Sequence, residues 1–164
     1  EYMHMIELKT SVLLAGSAVI GATLGGASEE DCRKLRRFAV ELGLAFQLQD
    51  DLLDSYGDER LGKAIGGDIL EGKKTYLMVT AMSRADEATR EILRHTYRDA
   101  TLTDAEKIAR VKEVYDRLDI PRLTEQQISL RFERALATLD SLSADPARTL
   151  RMREFAEGLM GRKK

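Results

Sequence analysis

Apolar residues recur along most of the chain at intervals of three and four positions, and no stretch alternates strictly between apolar and polar residues. The first spacing places side chains on one face of an α-helix, whereas strict alternation is typical of strands. The pattern therefore predicts an all-α fold. Helices are expected over residues 1–24, 29–56, 74–84, 86–98, 104–118 and 124–142, and from residue 146 to the end region.

Residues with strong positional preferences mark the ends of these helices. Gly25–Gly26 is expected to end the first helix, and Ser28, followed by acidic residues, to cap the second. Thr103–Glu106 has the pattern of a capping box, Asp119–Pro121 is expected to break the chain, and Asp145–Pro146 supplies a cap and an initial proline. The last helix is expected to pack through Leu150, Phe155 and Leu159.

Residues 11–27 form a run without any charged side chain. The run is shorter than the stretch of about 20 apolar residues that spans a membrane, and it is rich in glycine and small polar residues. We therefore expect a buried core helix here and no membrane span. Lys9–Thr10 comes directly before the run, where the lysine is either an ordinary surface residue or a cation at the mouth of an apolar core.

The second predicted helix carries the carboxylates Asp50, Asp51 and Asp54 in an otherwise apolar stretch. Because each helical residue advances by about 100°, the three share one arc with Gly43 and Gln47. The rest of the helix is apolar nearly all round, which is typical of a buried helix. Buried carboxylates without a partner are very costly, so a positive group must neutralise them. Closely spaced carboxylate oxygens, usually together with a phosphate, are typical ligands of Mg²⁺.

A helical glycine and a glycine-rich segment near the aspartates can each be interpreted in two ways. Gly43 costs the helix about 1 kcal/mol relative to alanine, and it leaves either room for a ligand or space for a close helix contact. Residues 57–72 contain five glycines, with Lys63 inside the segment and Lys73 directly after it. Such a loop beside an acidic arc is either a lid that closes over a phosphate or a plain connector.

Charge and cysteine content indicate which kinds of partner and which cellular compartment to expect. The chain has 164 residues and a net charge of −2, so nothing predicts a nucleic-acid partner. A single cysteine, Cys32, excludes an internal disulfide and favours a reducing compartment, so a cytoplasmic location is expected. The sequence starts without methionine or a helix cap, and we therefore expect it to be a fragment of a longer protein.

Three motifs in a fixed order carry a resemblance to a known family. They are Lys9-Thr10, then Phe46-Gln47-x-x-Asp50-Asp51-x-x-Asp54, then Gly62-Lys63-x-x-Gly66-x-Asp68 leading to Lys73. Together they resemble the trans-isoprenyl diphosphate synthases, the polyprenyl synthetase family, over nearly the whole chain. The resemblance implies that residues 1–164 are the C-terminal part of a single polyprenyl synthetase domain, an isoprenoid-synthase-type helical bundle around a central cavity.

The resemblance also implies a reaction and roles for individual residues. The family condenses an allylic diphosphate with isopentenyl diphosphate, depends on Mg²⁺, releases pyrophosphate and is expected to act as a homodimer. Asp50, Asp51 and Asp54 would bind Mg²⁺ directly or through water, with Asp68 near the metal shell. The remaining implied contacts are Lys9, Lys63 and Lys73 at the leaving diphosphate, Thr10 and Gln47 beside the allylic carbocation, and Phe46 at the isoprenoid tail.

The sequence departs from the family pattern in two ways. The N-terminal half with the first aspartate-rich motif is absent, so the chain alone is expected to be inactive. The connection from Asp58 to Lys63 is about one residue short. Two alternatives are a non-catalytic partner subunit, which usually lacks aspartates of the motifs, and a terpene cyclase, which usually carries a different second metal motif. The presence of all three aspartates favours the catalytic interpretation.

Overall fold

Every regular element among the described residues is helical, which confirms the predicted all-α class. The structure is a computed structural model and describes residues 1–57 and 65–161. Its elements are α1 (Tyr2–Ile6), a π-helical turn (Glu7–Ser11), α2 (Val12–Leu24), α3 (Glu29–Tyr56), α4 (Gly67–Leu70), α5 (Tyr76–Arg84), α6 (Glu87–Arg98), α7 (Asp104–Arg117), α8 (Ile120–Asp140) and α9 (Pro146–Met160).

Capping side chains explain where several helices begin. The Ser28 hydroxyl accepts the main-chain N–H of Asp31 at 3.1 Å, at the start of α3. Thr103 and Glu106 form the reciprocal capping box at the start of α7. Asp145 accepts a main-chain N–H two residues further on at 2.9 Å and begins α9. These three predicted helix starts are confirmed. They could be predicted because each capping hydrogen bond joins residues that are close in sequence.

Two other predicted starts are wrong by a few residues. α5 begins at Tyr76 and not at residue 74, because the Thr75 hydroxyl caps it by accepting a first-turn N–H at 3.3 Å. α8 begins at Ile120 and not at residue 124. Pro121 lies in its first turn, where a main-chain N–H has no partner within the helix in any case. The break falls on Asp119, whose φ is 58°.

The described residues form two compact units. The first holds Glu1 with residues 3–48 and 127–161, and the second holds Tyr2 with residues 49–57 and 65–126. α3 and α8 each contribute residues to both units. The predicted site residues are divided accordingly: Lys9, Thr10, Phe46 and Gln47 belong to the first unit, and Asp50, Asp51, Asp54, Asp68 and Lys73 belong to the second.

Apolar side chains of α2, α3, α8 and α9 form the core of the first unit. Its buried members include Ala15 of α2, Phe38 and Leu42 of α3, Leu139 of α8 and Ala156 of α9. Alanines at these contacts allow the helix backbones to approach closely, and the larger side chains fill the space around them.

α9 packs with a different face from the predicted one. Ala156 is buried and Leu159 packs against the core, as predicted for Leu159. Leu150 and Phe155, however, are 51% and 57% exposed, so the prediction for these two residues is wrong. Close approach of the helix selects the small Ala156, and Phe155 lies about 100° away around the helix axis.

The uncharged helix is less buried than predicted. Leu13, Ile20 and Leu24 are 78%, 63% and 85% exposed, and only 17% of the most apolar window of Tyr2–Leu24 is buried. The prediction of a buried core helix is therefore wrong for the chain as described. By length and composition alone, Tyr2–Leu24 is also the one described helical segment apolar enough to cross a membrane, a test that core helices of globular proteins pass as well.

α7 is the central helix of the second unit. It contacts α4, α5 and α6. Val111, Val114 and Tyr115 of its predicted apolar stripe are at most 4% exposed. The last residue of α3, Tyr56, donates its hydroxyl to Asp116 of α7 at 2.7 Å. α7 therefore supports the end of the aspartate helix within this unit.

Gly43 makes a close helix contact in the first unit. A β-carbon built on Gly43 would lie 2.5 Å from the Oγ of Ser11 and 2.9 Å from its Cα. Ser11 is completely buried and donates its hydroxyl to the Val40 carbonyl at 3.2 Å. Of the two interpretations of Gly43, the structure supports close packing, because the space beside it is already filled.

We expect Gly43→Ala to destabilise the protein by about 1–3 kcal/mol, since the added methyl group overlaps Ser11, including its main-chain Cα, which cannot simply rotate away. Gly16→Ala is the matched control, because Gly16 is also helical and a β-carbon added there would have nothing within 4 Å. That variant should gain up to about 1 kcal/mol from helix propensity. Urea unfolding followed by circular dichroism measures both changes, and equal midpoints for the two variants would contradict the prediction.

Candidate active site

Asp51 is the most buried aspartate of the motif. It is 5% exposed, and its Oδ2 accepts the main-chain N–H of Tyr76 at 2.9 Å and the hydroxyl of Tyr2. Tyr76 is the first residue of α5, and the N–H groups of a first helical turn have no partner within the helix, while the helix dipole favours a negative charge there. Protein donors therefore stabilise this oxygen of the buried carboxylate.

The two tyrosines that surround Asp51 also contact each other. The ring centroids of Tyr2 and Tyr76 lie 6.0 Å apart at an interplanar angle of 55°. Burial, and then the charge of Asp51, raise the pKa of Tyr2, so its hydroxyl stays protonated and donates. The sequence pattern did not predict a role for either tyrosine, since nothing in their sequence neighbourhood connects them with an aspartate 49 or 25 positions away.

Asp68 lies next to Asp54. The main-chain N–H of Asp68 donates to Oδ2 of Asp54 at 2.8 Å, and the N–H of Gly66 donates to the Asp54 carbonyl at 2.6 Å. Gly66 has a φ of 84°, and a β-carbon there would lie 2.7 Å from the Ile108 side chain of α7. Glycine is therefore required at this position both by backbone conformation and by space.

Lys73 provides a cation at the same place. Its Nζ lies 2.8 Å from Oδ1 of Asp68 and 2.9 Å from Oε2 of Glu71. Hydrogen bonds to these two carboxylates raise the pKa of Lys73, so it is charged. The structure thus places Lys73 beside the predicted metal-binding residues, where it is held by carboxylates.

Negative charge is concentrated around Asp54. Burial raises the pKa of Asp54, and the charges of Asp68 and Asp50 raise it further, against the Asp68 N–H and the Lys73 charge, which lower it. Among the described residues, no three His, Cys, Asp or Glu side chains are gathered into a cage for a metal ion. The carboxylates of Asp50, Asp54 and Asp68 nevertheless fit Mg²⁺, because this ion typically takes only one or two carboxylates and completes its shell with water and phosphate oxygens.

Thr10 and Gln47 form a second polar pair, in the first unit. The Thr10 hydroxyl donates to Oε1 of Gln47 at 3.0 Å, so the two dipoles that were predicted to act together are in contact. Lys9 and Thr10 lie in the π-helical turn, with Lys9 exposed, and Phe46 is half-buried on α3. Such turns are rare and occur often at functional sites, but no local residue pattern predicted this one.

One predicted site residue, Lys63, lies outside the described residues. The same is true of the Asp58-to-Lys63 connection, which was expected to be short, and of the central part of the predicted lid. Their roles stay predictions. The described part of the segment contributes Gly66 and Asp68, whose main-chain N–H groups donate hydrogen bonds to Asp54.

Comparisons with known proteins identify similar sequences. Residues 1–118 match the family model described as polyprenyl synthetase. A short chain isoprenyl diphosphate synthase of Methanocaldococcus jannaschii is 41% identical over 107 residues, which are 65% of this chain and 33% of that protein. The chain spans about a third of the length of the curated relatives it matches.

Solved structures agree with these sequence matches. A geranylgeranyl pyrophosphate synthase superposes with a TM-score of 0.87 at 36% identity, covering 99% of this chain and 51% of the other. A geranylgeranyl pyrophosphate synthase of Corynebacterium glutamicum, solved with isoprenyl diphosphate and magnesium, superposes with a TM-score of 0.76 at 32% identity, covering 87% of this chain and 41% of the other. The likeness confirms that the chain has the all-α fold of these synthases.

We expect Asp50→Asn to lower the pKa of Asp54, because it removes a nearby negative charge, and Lys73→Met to raise it, because it removes a positive one. Carbon-13 NMR titration of the Asp54 carboxyl group without added metal measures both shifts. Glu113→Gln on α7 is the control, since Glu113 is exposed and is not among the main groups that shift the pKa of Asp54. Shifts of the opposite sign would contradict this account of the acidic cluster.

Proposed function

The chain belongs to the polyprenyl synthetase family, and from that membership we propose that it is the C-terminal part of a Mg²⁺-dependent prenyltransferase. The proposed reaction condenses an allylic diphosphate with isopentenyl diphosphate to give a longer linear diphosphate and pyrophosphate. Relatives that carry the names short chain isoprenyl diphosphate synthase and geranylgeranyl diphosphate synthase support this reaction. We further propose that the complete protein is a cytoplasmic homodimer.

The acidic cluster of the second unit is the observation that carries the proposal. Asp54 is an aspartate whose pKa is raised by burial and by the charges of Asp68 and Asp50. Lys73 and the Asp68 N–H offset this effect only in part, so the pKa of Asp54 remains raised and a further cation bound at the cluster is the best account of it. The relative that was solved with isoprenyl diphosphate and magnesium supports the same identity for the cation.

In this proposal Asp50 holds Mg²⁺, Asp51 and Asp54 contribute secondarily, directly or through water, and Asp68 acts near the metal shell. Bound Mg²⁺ would neutralise the charge that develops on the departing diphosphate. Lys73 adds positive charge at the same cluster through its contact with Asp68. Lys9 and Lys63 are proposed to contact the diphosphate as well.

Thr10 and Gln47 are proposed to stabilise the allylic carbocation, with Phe46 at the isoprenoid tail. Because the Thr10 hydroxyl hydrogen is held by Gln47, the lone pairs of its oxygen are available to face a positive charge. A carbocation needs such dipoles, and it needs protection from water, which would otherwise quench it. The chemistry requires no protein nucleophile.

The two alternatives receive less support from the same residues. A non-catalytic partner subunit would not need three aspartates, and here Asp50, Asp51 and Asp54 are all present. A terpene cyclase usually carries Asn or Ser and Glu in this motif. Analysis of the products that the complete protein forms distinguishes both alternatives from the proposal.

The proposal is tested by incubating the complete synthase that carries this chain with isopentenyl diphosphate, a short allylic diphosphate and Mg²⁺. We expect a longer linear diphosphate, with one pyrophosphate released for each isopentenyl unit added, measured by mass spectrometry and a coupled pyrophosphatase–phosphate assay, and no product after EDTA treatment. The chain alone is expected to give none. Failure to extend any allylic primer would refute the catalytic proposal, and a cyclic hydrocarbon product would point to a cyclase.

We expect Asp50→Ala in the complete synthase to lower kcat on the order of 100-fold or more, because charge stabilisation in the transition state is lost. The melting temperature should change little, since removing one member of a like-charged cluster relieves repulsion. Asp104→Asn, at an exposed position on α7, is the matched control and should keep the activity. Near-normal turnover of Asp50→Ala would remove Asp50 from the site.

A further inference from the structure

Tyr2 has no role in the chemistry proposed above, yet it touches an aspartate of the motif. Its hydroxyl donates to Oδ2 of Asp51, the same oxygen that accepts the Tyr76 N–H at 2.9 Å. Tyr2 is half-buried, and Asp51 is 5% exposed. A donor lost from such a buried oxygen is not replaced by water without a cost.

We propose that Tyr2 is a positioning residue, which holds Asp51 and thereby sets the direction in which Asp50 and Asp54 project toward a divalent cation and its diphosphate. This inference rests on the proposed function. Two donors from separate parts of the second unit converge on one carboxylate oxygen, and this restricts both the position and the rotation of the side chain. Groups that orient metal-binding side chains in this way commonly affect metal affinity without touching the metal.

The position of Asp51 in the helix explains how the effect is transmitted. Asp51 follows Asp50 directly and precedes Asp54 by three residues, about one helical turn. When its side chain is tethered, the rotation of this part of α3 about its axis is restricted. The neighbouring carboxylates then project in set directions, because side-chain direction follows helix rotation.

The ring contact between Tyr2 and Tyr76 allows a clean test. Tyr2→Phe keeps a ring that packs on Tyr76, whose centroid lies 6.0 Å away, and removes only the donor to Asp51. Tyr97→Phe is the matched control, because it removes a tyrosine hydroxyl of the same unit whose hydrogen-bond partner is the Tyr115 hydroxyl, 3.4 Å away, and not an aspartate. Both variants are made in the complete synthase.

The measurement is the affinity for inorganic pyrophosphate in the presence of Mg²⁺, by isothermal titration calorimetry, together with the melting temperature. Tyr2→Phe is expected to weaken Mg²⁺-dependent pyrophosphate binding by about 10- to 100-fold, as for other residues that orient metal ligands. Tyr97→Phe should bind as the unmodified protein does. A lower melting temperature of Tyr2→Phe with unchanged pyrophosphate affinity would show a merely structural role and overturn the inference.

A double-mutant cycle tests whether Tyr2 acts through Asp51. In the background Asp51→Ala, Tyr2→Phe should cause no additional loss of affinity, whereas additive losses would overturn the inference. Asp51→Asn keeps an acceptor oxygen for both donors and should retain more affinity than Asp51→Ala; equal losses would contradict positioning. If the unmodified synthase does not bind pyrophosphate with Mg²⁺, the proposed function fails, and this inference fails with it.

Discussion

The buried Asp51 carboxylate is the interaction on which the rest of the second unit depends. A carboxylate that is 5% exposed is stable only if donors replace the water it has lost. Here the donors are the N-terminal N–H of α5 and the hydroxyl of Tyr2. The same bonds that satisfy one aspartate therefore join three segments that are far apart in sequence. Within this unit, the arrangement of the motif and the start of α5 depend on each other.

The charge of Asp54, unlike that of Asp51, is only partly compensated by groups of the protein. Asp54 keeps a raised pKa, because it is partly buried beside Asp68 and Asp50, and one N–H and one lysine offset this only in part. Such a group destabilises the protein when it is ionised without a counterion, and sites of this kind are usually retained for function. The motif thus combines a carboxylate stabilised by the protein with one that, in the proposed function, is stabilised by a bound cation and diphosphate.

Two glycines show why pattern alone does not reveal the purpose of a residue. Gly43 lies on the aspartate arc, where a ligand was one of two explanations, yet Ser11 fills the space beside it. Gly66 was part of a motif, and the structure explains it by a φ of 84° and contact with Ile108 of α7. In both cases the deciding atom belongs to a residue more than thirty positions away. That distance is why a local pattern left the choice open at Gly43.

The sequence by itself determined what depends on neighbouring residues: the all-α class, the caps at Ser28, Thr103 and Asp145, and the aspartate motif that identifies the family. Helix propensity and capping involve residues within about one turn, so a linear pattern records them. Only the tertiary structure decided which face of α9 packs, how exposed α2 is, where the π-helical turn lies and that Tyr2 reaches Asp51. These features result from contacts between distant segments, and packing of that kind overrides local preference.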